Sequence, residues 1–214
     1  MTINHSGIYI CFEGLDGSGK STLFLEIIRR LKENKYQFTT ICPTKPSENN
    51  SFFEILFRKY SFTKKSSLIR AFVYADRSNY ACHQTKWDTP LIIGDRSIIT
   101  SYVTRWRRWF NSRFLSRLIV DSLERCIPAP DHVIYLSAPI SLLRKRLLQR
   151  GHPLDIDETE ERAKQMKNAY HEIQTENCIP RLNKTIWHTI DASKEKEVVA
   201  DAAWKILKDI IGVK

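Results

Sequence analysis

The 214-residue chain predicts an α/β fold, a five-stranded parallel sheet with helices on both faces. Two observations carry that prediction. Short apolar runs alternate with stripes at helical spacing from end to end, the pattern of a sheet buried on both faces. The first such run also leads directly into Gly14-Leu15-Asp16-Gly17-Ser18-Gly19-Lys20-Ser21, a complete G-x-x-x-x-G-K-S sequence, with a helical stripe behind it. There is no internal repeat and no low-complexity linker. One domain covering residues 1–214 is therefore the most economical organisation.

The elements follow in order. Gly7 to Glu13 has the bulk of a buried strand, and Leu23, Ile27, Ile28 and Leu31 stripe the first helix. Gln37 to Cys42 reads as a short second strand. Phe52 to Tyr60 and Ser66 to His83 read as helices. Pro90 to Asp95 is a third strand ending in an acid. A helical stretch runs on to about Cys126, interrupted near Asn111. Pro128 and Pro130 mark the turn before a fourth strand, Asp131 to Ser137. Leu142 to Arg150 is helical until Gly151-His152-Pro153 breaks it. Met166, Ala169, Tyr170 and Ile173 stripe another helix. Thr185 to Ile190 is the fifth strand, and Val199, Ala202, Ala203, Ile206 and Ile210 stripe the last helix.

Composition narrows the class. The 42% hydrophobic and 27% charged fractions are those of a soluble globular chain. No apolar run reaches membrane-span length, and the amino terminus lacks a signal-peptide core. The five cysteines are odd in number, dispersed and without a C-x-x-C pair, so neither a disulfide framework nor a zinc site is suggested. Reduced thiols and a cytoplasmic location are expected. The net charge of +10 favours anionic partners, and nucleotides satisfy it as well as nucleic acid does.

The glycine-rich octapeptide is a phosphate loop. Its glycines let successive backbone N–H groups face one point, and the helix start adds positive potential. In such a loop Lys20 reaches the β/γ-phosphates and the Ser21 hydroxyl ligates magnesium. Asp95, at the end of the third strand, can hold the same magnesium from the other side. Arg96 beside it offers a planar fork matched to phosphate oxygens. Phe72-Val73-Tyr74-Ala75-Asp76-Arg77 puts aromatics and an arginine on one helical turn, either as an ordinary amphipathic surface or as a platform for a base. Five strands with one phosphate loop after the first is the plan of a small nucleotide kinase, its ligands lying outside the carboxyl ends of the strands.

Taken together, these segments resemble thymidylate kinase and its nucleoside-monophosphate kinase relatives, which have the P-loop kinase fold with a short lid. Phe12 to Thr22 is similar to the family's opening motif, Tyr74-Ala75-Asp76-Arg77 to its substrate helix, and Asp95-Arg96 to its D-R dipeptide. Pro130 to Leu136 resembles its fourth strand, with Arg144, Arg146 and Arg150-Gly151 leading into the lid at about 150–161. Thr189-Ile190-Asp191-Ala192 resembles the segment beside adenine. The resemblance implies ATP and Mg2+ as cofactors. It implies contacts to ATP from Gly14, Leu15, Asp16, Gly17, Ser18, Gly19, Lys20, Ser21 and Thr22, with Ser21 and Asp95 at the metal. On the acceptor side it implies Asp16, Arg58, Tyr74, Arg77, Arg96 and Thr100, with Lys20, Arg96 and Arg150 catalytic. Some family members carry a catalytic arginine inside the phosphate loop where this chain has Gly17. The cation then has to come from the lid, from Arg150 first and Arg162 second.

The departures gather on the acceptor side. After the second strand Thr44-Lys45-Pro46-Ser47-Glu48 keeps only the proline of the usual sequence, and Val73 stands where an aromatic is expected. Thr100 to Arg105 retains a fragment of the usual segment, and the lid is acidic. The expected reaction is ATP-dependent phosphorylation of a nucleoside monophosphate, dTMP to dTDP foremost. The alternatives are a deoxynucleoside kinase on the same scaffold, since Asp95-Arg96-Ser97 resembles that family's acid-R-S motif, or a nucleotide-binding regulator or nucleic-acid-stimulated ATPase. Arg105-Trp106-Arg107-Arg108-Trp109-Phe110 admits three readings: a single-strand nucleic-acid surface, a subunit interface, or a partly buried helix. No added nucleic-acid module is present, so a nucleoside monophosphate is the expected partner. No membrane partner is expected. The resemblance favours a homodimer.

Overall fold

The computed structural model describes residues 5–44, 54–55, 59, 66–107, 111–151 and 159–212. Five parallel strands form one sheet in the order β2-β3-β1-β4-β5. They are β1 (Ile8–Gly14), β2 (Thr39–Ile41), β3 (Leu91–Asp95), β4 (His132–Ser137) and β5 (Ile186–Asp191). The described helices are α1 (Lys20–Glu33), α2 (Ser67–Gln84), α3 (Ile98–Arg105), α4 (Arg113–Leu123), α5 (Ile140–Leu148), α6 (Glu160–Thr175) and α7 (Lys196–Ile211). The predicted helix at Phe52 to Tyr60 falls mostly outside the described residues. The predicted interruption near Asn111 is a real break, where Ser112 caps α4 through a hydrogen bond from Leu115 N. The predicted helix from Leu142 to Arg150 starts earlier, after Pro139, and ends at Leu148.

Central β1 shows why the sheet is covered twice. Side chains alternate along a strand. Phe12 points to one face and meets Phe24 of α1 edge-on, ring centroids 6.5 Å apart. Glu13 points to the other and accepts from Tyr170 of α6. Helices α1 and α7 pack together on the first side, and α3 touches α2, α4 and α6 on the second. Tyr9, Ile10, Cys11 and Phe12 are all fully buried, as expected of a parallel central strand.

That arrangement also places the site. The register pairs Phe12 of β1 with Asp95 of β3, so both strands end side by side. The chain leaves β1 toward α1 on one face and leaves β3 toward α3 on the other. A crevice opens where those two connections diverge.

Candidate active site

The loop between β1 and α1 borders this crevice. Gly17 and Gly19 adopt left-handed backbone, φ +83° and +91°. Gly17 is fixed twice, because a Cβ on it would stand 2.7 Å from the Leu143 carbonyl oxygen of α5. The absence of an in-loop arginine is thus also a packing condition, since α5 lies directly against the loop. Helix α1 begins with no side-chain cap, so its first N–H groups are free for an external acceptor. The Ser18 hydroxyl is buried and has no partner among the described residues. Lys20 is buried too, with Nζ donating to the Leu15 carbonyl at 2.7 Å and standing 3.8 Å from Asp16 Oδ1. Burial, with the neighbouring Arg96 charge, pushes its ammonium down to about 7. An uncapped helix start, an orphaned hydroxyl and an undercompensated ammonium are the features a polyphosphate would satisfy.

Ser21 Oγ donates to Asp95 Oδ2 at 3.2 Å. A hydroxyl and a carboxylate facing each other across the loop are oxygen donors of the kind a hard divalent cation takes. Beside the loop opens a cavity of about 900 Å3, lined by Gly17, Thr22, Arg146, Arg150, Ala192 and Lys194 among others. Arg146 is anchored there by a 2.9 Å bond to the Ala192 carbonyl, and Arg150 is exposed at its rim.

The opposite side is built from side chains. Arg96 holds a left-handed backbone, φ +74°, an uncommon state for a residue with a Cβ. Its N–H is tied to Phe12 O at 3.1 Å, and its guanidinium pairs with Asp16 of the phosphate loop. Burial works against its charge, but Asp16 and other nearby anions keep it firmly protonated. Arg96 is therefore held next to Lys20, across the crevice mouth.

Under Arg96 lies a network that sequence reasoning did not assemble. Glu13 is fully buried, and both its oxygens are engaged twice. Oε1 accepts from Ser97 N and Ser97 Oγ at 2.8 Å each, and Oε2 from Thr100 Oγ1 at 2.7 Å and Tyr170 OH at 2.8 Å. Burial, then Glu13, raises the Tyr170 hydroxyl far above its ordinary range, so it serves as a donor. In sequence, Tyr170 shows only as one member of a buried helical stripe. Thr100, expected at the acceptor, is 6% exposed, and its hydroxyl proton goes to Glu13.

Arg77 lies farther along. It forms a fork with Glu54, Nε to Oε2 at 2.7 Å and Nη2 to Oε1 at 2.9 Å, and sits 5.6 Å over the Tyr74 ring. Nothing in the sequence marks Glu54. Arg58 lies outside the described residues, as do lid positions 152–158. Arg162 is 9% exposed and donates to the Thr104 carbonyl and to Gln165 Oε1. It joins α6 to α3. Of the Trp/Arg segment, Arg105 and Trp106 are buried: Arg105 pairs with Glu124, and the Trp106 indole donates to Glu172 at 2.7 Å. Positions 108–110 lie outside the described residues.

Comparison with known proteins agrees with this geometry. The family profile described as thymidylate kinase matches residues 12–203. The "Probable thymidylate kinase 1" of Saccharolobus solfataricus is 26% identical over 208 residues, which is 93% of this chain and 96% of that protein. The thymidylate kinase of Leptospira interrogans is 25% identical over 179 residues, 82% of this chain and 86% of its own. Among solved structures, deoxyadenosine kinase from M. mycoides with products dCMP and a flexible dCDP bound has a TM-score of 0.65 at 20% identity. The match covers 94% of this chain and 98% of that one. At that identity the likeness shows the fold alone, that of P-loop kinases. A phosphate loop at the end of the central strand, with a family match from Phe12 to Ala203 in the middle of α7, makes this nucleotide phosphotransferase a member of the thymidylate kinase family.

Proposed function

We propose that the protein transfers the γ-phosphoryl group of ATP to a nucleoside monophosphate, with dTMP the leading acceptor and dTDP the product. The observation that carries this reading is the saturation of Glu13. A kinase acting on a sugar hydroxyl needs a carboxylate free to take a proton. Here the Glu13 carboxylate, one residue before the end of β1, accepts four hydrogen bonds in full burial. Glu54, a described carboxylate after β2, is held in the Arg77 fork. A phosphate acceptor is already anionic and needs cations instead, which Arg96 supplies beside Lys20.

In this mechanism the loop N–H groups and Lys20 hold the donor phosphates, and Arg96 aligns the acceptor phosphate against them for in-line attack. Ser21 and Asp95 would hold Mg2+, which neutralises phosphate charge when bound. Arg150 stands at the cavity rim from which a closing lid at about 150–161 would bring it to the transferred group. Tyr74 and Arg77 would meet the base, with Arg58 a further phosphate contact. The whole chain would act as one domain in the cytoplasm; no described helix is long and apolar enough to cross a membrane.

The test is a panel of nucleosides and nucleoside monophosphates, each with ATP and Mg2+, read as ADP and phosphorylated product. Turnover confined to monophosphates is expected. Turnover confined to nucleosides would replace this reading by the nucleoside kinase, and ATP loss without any transfer would remove both. We also propose a homodimer through the outer face of α4, where Phe114 and Leu118 are 60% and 48% exposed. Leu118→Glu should shift the sedimenting species from dimer to monomer; an unchanged mass would discard that face.

A further inference from the structure

We propose that Cys126 and Cys82 form a peroxide-sensitive dithiol, Cys126 attacking and Cys82 resolving, whose oxidation ties α2 to the loop that follows α4. Cys82 and Cys126 are both reduced thiols, and they come from separate elements. Cys82 lies in the last turns of α2 and is fully buried, whereas Cys126 is half-buried beside solvent. The Cys126 thiol donates to Asn79 Oδ1 at 3.0 Å. Asn79 lies one turn before Cys82 on the same helix, and its amide nitrogen binds Leu123 O at 2.9 Å. Asn79 therefore clamps the loop that carries Cys126 onto α2, one turn before Cys82.

The charges around the pair suit this division of labour. Arg181 Nη2 donates to Glu124 O at 3.0 Å and to the Ile127 carbonyl, which sets its guanidinium against the loop that carries Cys126. The nearby acid, Glu124, is already taken by Arg105 and by Ser101 Oγ. Trp87 covers the Cys82 backbone, Nε1 to O at 2.8 Å. The hydrogen bond from Cys82 is the main influence that lowers Cys126, with Arg181 adding to it. The same bond, together with burial, raises Cys82, which stays protonated. A lowered, accessible thiol next to a second cysteine is the arrangement of peroxide-reactive dithiols.

The chemistry balances with hydrogen peroxide as oxidant. The Cys126 thiolate attacks the peroxide oxygen and breaks the O–O bond, giving a sulfenic acid and, after protonation, water. The Cys82 sulfur then attacks the sulfenic sulfur, and the hydroxyl leaves as a second water. Two thiols have been oxidised and one peroxide reduced to two waters. A dithiol reductant reverses the crosslink by exchange.

The test is hydrogen peroxide titration of the purified full chain, followed by alkylation and peptide mapping. The expected result is loss of two hydrogens in intact mass and a Cys82–Cys126 linked peptide that dithiothreitol removes. In Cys82→Ala the sulfenic acid should persist and be trapped by dimedone at Cys126. In Cys126→Ser the linked peptide should vanish. A wild-type protein whose first oxidised thiol is another cysteine, or whose Cys82 and Cys126 both stay alkylatable after peroxide, would overturn the proposal. The wild-type map decides the matter even if the buried Cys82→Ala variant is poorly folded.

Discussion

The two halves of the crevice are built on different principles. The donor half is mostly backbone: an eight-residue turn whose glycines, uncapped helix start and one buried lysine face a common point. The acceptor half is mostly side chains contributed by distant elements. Arg96 comes from the end of β3, Asp16 from the loop, Ser97 and Thr100 from the start of α3, Tyr170 from α6, and Glu13 sits at their centre. A backbone cradle is specified by local spacing and tolerates drift elsewhere. A side-chain network depends on five elements docking correctly, and it can be retuned by replacing one partner.

Four experiments would break or sharpen that contrast. The largest effect is expected from Lys20→Ala, which removes the one buried cation of the donor half among the described residues. Turnover should fall at least about 1000-fold, the scale of losing a preorganised charge at the transferred group, while circular dichroism and Tm stay near wild type. Near-normal kcat would end the assignment. Arg96→Ala should follow, lowering kcat/KM for the monophosphate by about 100-fold with little change in ATP affinity. If ATP binding weakened equally, the two halves would not be separable.

Glu13→Gln comes third. It leaves the donor half untouched but puts an amide N–H2 against two of the four donors. A destabilisation of about 2 kcal/mol is expected, and Tyr170→Phe, which removes one donor, should cost about half as much. Urea midpoints measure both; a Glu13→Gln protein as stable as wild type would show that the network does not hold the acceptor half together.

The smallest effect is electrostatic. Burial lowers Lys20 from 10.5 to about 7 in the folded protein. Between those values the unfolded chain binds more protons than the folded one, so stability rises with pH across this window. The upper bound is about 1.4 kcal/mol per pH unit, reduced by the partners Lys20 keeps. Comparing urea midpoints at pH 7 and pH 8, wild type should gain stability relative to Lys20→Met. An equal response in the two proteins would put the titration elsewhere.

Much of the fold was legible because the signals are local. The stripe Leu23, Ile27 and Leu31 is buried as the spacing requires, and the break near Asn111 coincides with a capping serine. The strands were found because a sheet covered on both faces needs continuous apolar runs. The site was legible in part. Ser21 and Asp95 are 74 positions apart, yet each is announced by its own motif, and they meet at 3.2 Å. Glu54 and Tyr170 were not legible as members of the site. One sits in a segment with no motif, and the other looks like any buried residue of an amphipathic helix.

The sequence by itself determined the phosphate loop, the α/β alternation and the family, because those depend on spacing along a few neighbouring residues. Only the tertiary structure decided that Glu13 is a saturated hub and not a free base, that Arg96 leans on Asp16, and that Arg77 is matched by Glu54. The physical reason is that a buried charge must find its partners in space. The strand order that brings those partners together is a property of the folded sheet.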